Sequence, residues 1–148
     1  MEERADLDRE KKCKECIESF GEIVYPVIYN AEVAKLLSRE FMGWNIDNVY
    51  WLSPTWLRHA AASVVTLKSN ECIEKDLANL LYDSLTKVTA DVENLFKEMG
   101  GFGKLLGGEE ILKIKKGSEK IYNELNSVRQ LVHMLPEKIA KFCTEKKS

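Results

Sequence analysis

The chain has 148 residues, of which 45% are apolar and 31% charged, and a formal net charge of −2. That length fits one domain with a real core and excludes two ordinary ones, and the composition excludes wholesale disorder. The slightly acidic balance removes any global electrostatic reason to bind nucleic acid, although residues 104–148 carry ten bases against six acids, while residues 1–22 carry eight acids against five bases.

The first residues, Met-Glu-Glu-Arg-Ala-Asp-Leu-Asp, lack the apolar stretch of a secretory signal, and no run approaches about 18 apolar residues, so a soluble cytoplasmic protein with no membrane association is expected. In a reducing compartment the four cysteines are expected as free thiols or ligands rather than disulfides.

From about residue 5 to 42, Cys13, Ile17, Phe20, Val24, Val27, Ala31, Ala34 and Phe41 keep a helical phase. Gly21 and Pro26 interrupt it, which predicts a helix kinked near these residues or two helices in sequence. The β-branched and aromatic run over 22–29 leaves an extended segment as the alternative, but no second strand is available to pair with it. Within this helix Cys13-Lys-Glu-Cys16 has the gap used by zinc sites and redox dithiols. The two cysteines also sit in or beside the apolar stripe, where a thiol behaves as a small hydrophobe, so the favoured reading is buried free thiols.

Residues 43–53 form an aromatic connection, and all three tryptophans, Trp44, Trp51 and Trp56, fall within thirteen residues together with Tyr50. This cluster reads as a plug at one end of a bundle, as a protein interface, or as a ligand pocket in which Arg58 meets a phosphate or carboxylate. Ser53-Pro54 supplies an N-cap with proline at the first helical position, predicting a helix over about 54–68 whose Ala60, Ala61 and Ala62 allow close approach of a neighbour.

Residues 70–99 give the clearest helical period: Ile73, Leu77, Leu81, Leu85, Val88, Val92, Leu95 and Met99, with Asn70 as N-cap. Gly100-Gly101 ends it. The loop over 100–108 lacks the Gly-Lys-Ser/Thr ending and the preceding strand of a phosphate cradle; its Phe102, Leu105 and Leu106 either fold back or contact a partner. A second helix is predicted over about 109–135 from Ile111, Ile114, Ser118, Ile121, Leu125, Val128, Val132 and Leu135, forming an antiparallel hairpin with the first. Pro136 then starts a short terminal helix through Phe142 and Cys143.

Glu-Cys-Ile-Glu occurs twice, at 15–18 and 71–74. Two Glu-x-x-Glu pairs on facing helices can hold Mg²⁺ through carboxylate oxygens. Glu15, Glu18, Glu71 and Glu74 in this respect resemble the motif of the all-α nucleoside triphosphate pyrophosphohydrolases, which implies Mg²⁺-dependent hydrolysis of a triphosphate to monophosphate and pyrophosphate. The resemblance covers eight residues, lacks the family's Glu-x-x-Asp form, and has the pairs much farther apart in sequence. Helical phase places Ile17 and Ile73 inward and the glutamates outward or at the border. Arg129-x3-His133 is one residue shorter than the Arg-x4–6-His ribonuclease motif of the helical HEPN domains and does not match it.

Together these readings predict an all-α bundle of four to six helices built on the hairpin of 70–99 and 109–135. Because two helices this long expose more stripe than a short chain readily covers, a homo-oligomer is expected. The leading functional reading is a protein that acts by self-association or as a subunit of a larger assembly, with no catalytic residues, no cofactor, and an interaction surface formed by Trp44, Tyr50, Trp51, Trp56, Arg58, Phe102, Leu105 and Leu106. The alternatives are the Mg²⁺-dependent hydrolase, a metal site at Cys13 and Cys16, and a nucleic-acid-binding module using Lys113, Lys115 and Lys116.

Overall fold

A computed structural model describes residues 2–39, 46–100 and 107–145. The described residues form an all-α bundle with no strand. Its helices are α1 (Glu2–Arg39), α2 (Pro54–Ser69), α3 (Lys75–Met99), α4 (Gly108–Val132) and α5 (Leu135–Thr144), with a 3₁₀ turn at Ile46–Trp51. From α1 to α4 consecutive helices run antiparallel, and α1 closes the ring by packing on both α2 and α4. Past the turn at 133–134, α5 extends the α4 column along the N-terminal half of α1. The hairpin of α3 and α4 is present, and its apolar stripe packs within the chain against α1 and α2.

The N-terminal helix is a single element, continuous through Pro26 rather than two helices in sequence, and 22–29 is helical rather than extended. Proline cannot donate to the Glu22 carbonyl, a loss of about 3 kcal/mol or more inside a helix. Burial of Ile23, Val27, Ala31, Ala34 and Leu37 offsets it. Asn30, fully buried, adds a local tie: its Nδ2 donates to the Pro26 carbonyl at 2.8 Å, and its Oδ1 accepts from the Ser53 amide at 2.7 Å. Ser53 is the N-cap of α2, its Oγ accepting from the Trp56 amide at 3.1 Å, so one buried asparagine couples the proline turn of α1 to the start of α2.

The phase of α1 is also corrected. Ile17 is 57% exposed, whereas Cys16, Ser19 and Ile23 are buried. The expected stripe took Ile17 and Val24 where the observed one buries Cys16, Ser19 and Ile23, with Cys16 drawn inward by its bond to Cys72, while Val27, Ala31 and Ala34 are buried as their spacing predicts.

The start of α3 moves too. Asn70 is the C-cap of α2, and its Nδ2 donates to Glu15 Oε2 at 2.9 Å, so its side chain is not free to cap a following helix. Residues 71–74 form a turn, with Glu71 at φ 60°, and α3 begins at Lys75. Downstream the period holds: Leu77, Leu81, Leu85, Val88, Val92, Leu95 and Met99 are buried, and Gly100 ends the helix at φ 70°. In α4, Ile114, Ser118, Ile121, Leu125, Val128 and Val132 are buried as their spacing predicts. Gly117 marks a close approach to α3, since a Cβ there would lie 3.0 Å from Leu95 Cδ1.

All four cysteines are paired, which corrects the expectation of free thiols. Cys13 joins Cys143 and Cys16 joins Cys72, with Cα–Cα separations of 5.3 and 6.6 Å, both within disulfide range. The Cys-x-x-Cys spacing thus serves two different partners from adjacent turns of α1, one holding α5 and one holding the 71–74 turn. Arg9 reinforces the first: its Nε and Nη2 donate to the Phe142 carbonyl at 3.1 and 2.8 Å, and its guanidinium lies 4.4 Å from the Phe142 ring centroid. A carbonyl in the last turn of α5 thereby gains a charged donor.

Candidate functional site

The α1–α2 seam opens outward into a groove of about 1030 Å³. One wall comes from α1, where Glu18, Glu22 and Tyr25 recur at spacings of four and three and so share a face, with Gly21 and Pro26 beside them. The other comes from α2, where Trp56, His59, Ser63 and Thr66 recur at three, four and three, with Ala62 alongside. Neither wall carries a lysine or arginine.

Several contacts fix the groove's shape. Ser63 Oγ donates to Glu22 Oε2 at 2.7 Å across the seam, and its own oxygen is 3.1 Å from the His59 carbonyl one turn earlier. The Trp56 indole stands edge-on to Tyr29 with centroids 5.3 Å apart and planes at 69°. Tyr29 is in turn held by donation from its hydroxyl to the Trp51 carbonyl at 2.7 Å. The hydroxyl bond thus anchors the Tyr29 ring against which Trp56 packs edge-to-face. Tyr25 on the opposite wall is 70% exposed, Trp56 41% and nearby Trp51 53%, so this side of the bundle presents more aromatic surface than solubility requires.

The residues that sequence reasoning singled out divide between this groove and elsewhere. Trp51 and Trp56 belong to the exposed aromatic face. Tyr50 is half-buried and packs on Phe96, centroids 5.0 Å apart, so it plugs the end of the bundle. Arg58 pairs with Glu93 across α2 and α3, in a second groove of about 640 Å³ that also contains Val65, Tyr82 and Lys97. Trp44, Phe102, Leu105 and Leu106 lie outside the described residues. Sequence reasoning missed Tyr25, Tyr29, Glu22 and Ser63. The signal was present for α1: Glu18, Glu22, Tyr25 and Tyr29 repeat at four, three and four, a second helical face beside the apolar one.

The carboxylates proposed for Mg²⁺ are not brought together. Glu15 accepts from Asn70, Glu18 lines the α1–α2 groove, Glu74 receives Lys138 Nζ at 2.6 Å, and Glu71 lies in the turn. Among the described residues no three or more His, Cys, Asp or Glu side chains are grouped to hold a metal ion. Cys13 and Cys16 are both in disulfides and in that state offer no thiolate. Lys113, Lys115 and Lys116 are exposed on α4, interspersed with exposed Glu109, Glu110 and Glu119.

One carboxyl departs strongly from its ordinary range. Glu124 on α4 is pushed up to about 7, first by burial and then by the carboxyl of Asp91 on α3, against the opposing pull of Lys87 and Lys120. Asp91 Oδ2 and Glu124 Oε2 are both sequestered without a hydrogen-bond partner, and a proton held by Glu124 supplies the missing donor between two carboxyls. Lys120 Nζ lies 3.8 Å from Asp91 Oδ2 and 4.0 Å from Glu124 Oε1, too far for a direct hydrogen bond to either. This is a seam between α3 and α4, away from the aromatic groove.

No protein family, curated protein or solved structure matches the chain. Among the described residues no helix is long and apolar enough to cross a membrane.

Proposed function

We propose that this protein acts by association, as a helical module that binds another protein through the groove between α1 and α2. One observation carries the reading: Tyr25 and Trp56, both exposed, line one open groove from its two walls, where a self-sufficient domain has no use for so much aromatic surface. Large aromatic anchors with few torsions lose little entropy on binding, and this is why they dominate interface energetics. A two-fold pairing of this face with itself brings Glu18 and Glu22 toward their own copies, which favours a different partner over a symmetric homodimer.

Two disulfides that take up all four cysteines support an oxidising compartment over the cytoplasmic one expected from the N-terminal sequence.

The test is native mass spectrometry of the protein purified from its own source, compared with a Tyr25→Ala/Trp56→Ala variant. A stoichiometric complex is expected for the wild type and its loss for the variant, with the helical circular dichroism retained even though Trp56→Ala also removes the Tyr29 contact. A wild-type monomer with no companion, or a complex indifferent to the two substitutions, overturns the proposal.

A further inference from the structure

Gly21 sits in the interior of a continuous helix, where glycine costs roughly 1 kcal/mol relative to alanine. A helix ordinarily bears that cost for a reason, and Gly117 shows one: a Cβ there would lie 3.0 Å from Leu95 Cδ1, so the missing side chain leaves room for Leu95. At Gly21 the reason is absent, since a Cβ built there meets no atom within 4 Å. The residue lines the groove, so the space above it is open to whatever enters.

The chemistry around that space is one-signed. Glu18 and Glu22 line the groove with no lysine or arginine opposite them. Ser63 orients the Glu22 carboxylate by donating to Oε2, and the other oxygen has no hydrogen-bond partner among the described residues. Tyr25 and Trp56 bring π faces to the same groove, and π faces and carboxylates share a preference for cations. A volume of about 1030 Å³, open to solvent along the helices, exceeds the space one side chain fills and suits an extended stretch of chain.

Resting on the association reading above, we infer that the occupant is a segment of a partner protein in which arginine or lysine side chains alternate with apolar ones. The cations are held by Glu18, Glu22 and the aromatic faces, and an apolar side chain lies over the bare backbone at Gly21.

The probes are a short synthetic peptide alternating arginine and leucine, capped at both ends, and its counterpart with each arginine replaced by neutral, isosteric citrulline. A third arm uses spermine, which carries charge without apolar side chains. Binding is followed by amide and indole NMR shifts of the full-length, disulfide-intact protein. The arginine peptide is expected to shift Gly21, Tyr25, His59 and the Trp56 indole, to weaken with added salt, and to lose about fivefold to tenfold in affinity in Glu18→Gln/Glu22→Gln. Gly21→Leu is expected to abolish these shifts with the fold retained, because a Cβ there meets no atom within 4 Å and the rest of the side chain extends into the groove. Equal binding of the citrulline peptide overturns the cation assignment, equal binding of spermine overturns the peptide assignment, and shifts elsewhere or none overturn both. A native complex lost in Tyr25→Ala/Trp56→Ala but intact in Glu18→Gln/Glu22→Gln refutes this inference and leaves the association reading standing.

Discussion

Removing the Cys13–Cys143 bond by Cys13→Ala/Cys143→Ala releases the chain's widest cross-link. The bond spans 130 positions and the Cys16–Cys72 bond spans 56. On loop-closure entropy alone these are worth about 5 and about 4 kcal/mol taken singly, because the dependence on length is logarithmic. They are not independent. With Cys16–Cys72 closed, the path between Cys13 and Cys143 runs three positions along α1, across the inner bond, and on from Cys72, about 74 in all. The shortcut lowers the outer bond to about 4.5 kcal/mol, so the two are expected to contribute nearly equally despite their different spans.

The folded state shifts these figures. Arg9 still holds the Phe142 carbonyl without the outer bond, and Leu135 and Ile139 stay buried, so α5 has its own reasons to dock. The entropic figure is therefore the cost to global unfolding rather than the cost of detaching α5. Guanidinium unfolding of the wild type and each double-alanine variant measures it, with an increased m-value expected as the uncross-linked denatured chain exposes more surface. The thermal midpoint is expected to fall by about 10–15 °C in either variant. Thiol titration of the denatured, unreduced wild type is expected to find no free thiol. Four free thiols, or a loss below about 1 kcal/mol for the outer bond, refutes the reasoning.

Other outcomes follow from the interior. Because Glu124 is raised above its unfolded value, the folded chain holds more protons between about pH 4.5 and 7, so stability falls as pH rises through that window, by an amount on the order of 1 kcal/mol after solvent screening. Glu124→Gln is expected to flatten this slope in urea unfolding at pH 5 and pH 8, and an unchanged slope assigns it to other groups. Gly21→Ala is expected to raise stability by about 1 kcal/mol, whereas Gly117→Ala loses that gain to the Leu95 contact, and calorimetry that ranks them the other way refutes the packing at both sites. Asn30→Ala removes the partners of the Ser53 amide and one bond to the Pro26 carbonyl, for an expected loss of about 2–4 kcal/mol in chemical denaturation.

The bundle was legible wherever the period was long and the side chains large. Ile114 through Val132 and Leu77 through Met99 report their buried faces directly, since each turn offers one large apolar residue and polar neighbours. The reading failed where burial is decided by a partner. On α1, Cys16 lies inside and Ile17 outside because Cys16 meets Cys72, a contact 56 positions away that no local pattern encodes. The repeated Glu-Cys-Ile-Glu is the sharpest case: one copy is helical and the other a turn with Glu71 at positive φ, and the two meet through their cysteines while the carboxylates disperse. Matching letters implied matching structure, and only the sulfur atoms bore that out.

The groove was half-legible for a related reason. Tryptophan density drew attention to 44–56, but a groove needs two walls, and the α1 wall lay hidden in a helix whose apolar stripe dominated the reading. What joins the walls is the buried Asn30, which ties the Pro26 turn to Ser53, together with the Ser63–Glu22 bond farther along the seam. The disulfides hold the same helix at its other end, through Cys13 and Cys16. So α1 is pinned on both sides of the Glu18–Tyr25 stretch, and the aromatic and carboxylate groups there are presented without needing to order on binding. In the association proposed above, such preorganisation lowers the cost of binding, because less rotational freedom remains to be lost. The bare Gly21 between the two pins keeps its cost to helix stability affordable for the same reason: the disulfides and the Asn30 tie hold the helix that the glycine weakens.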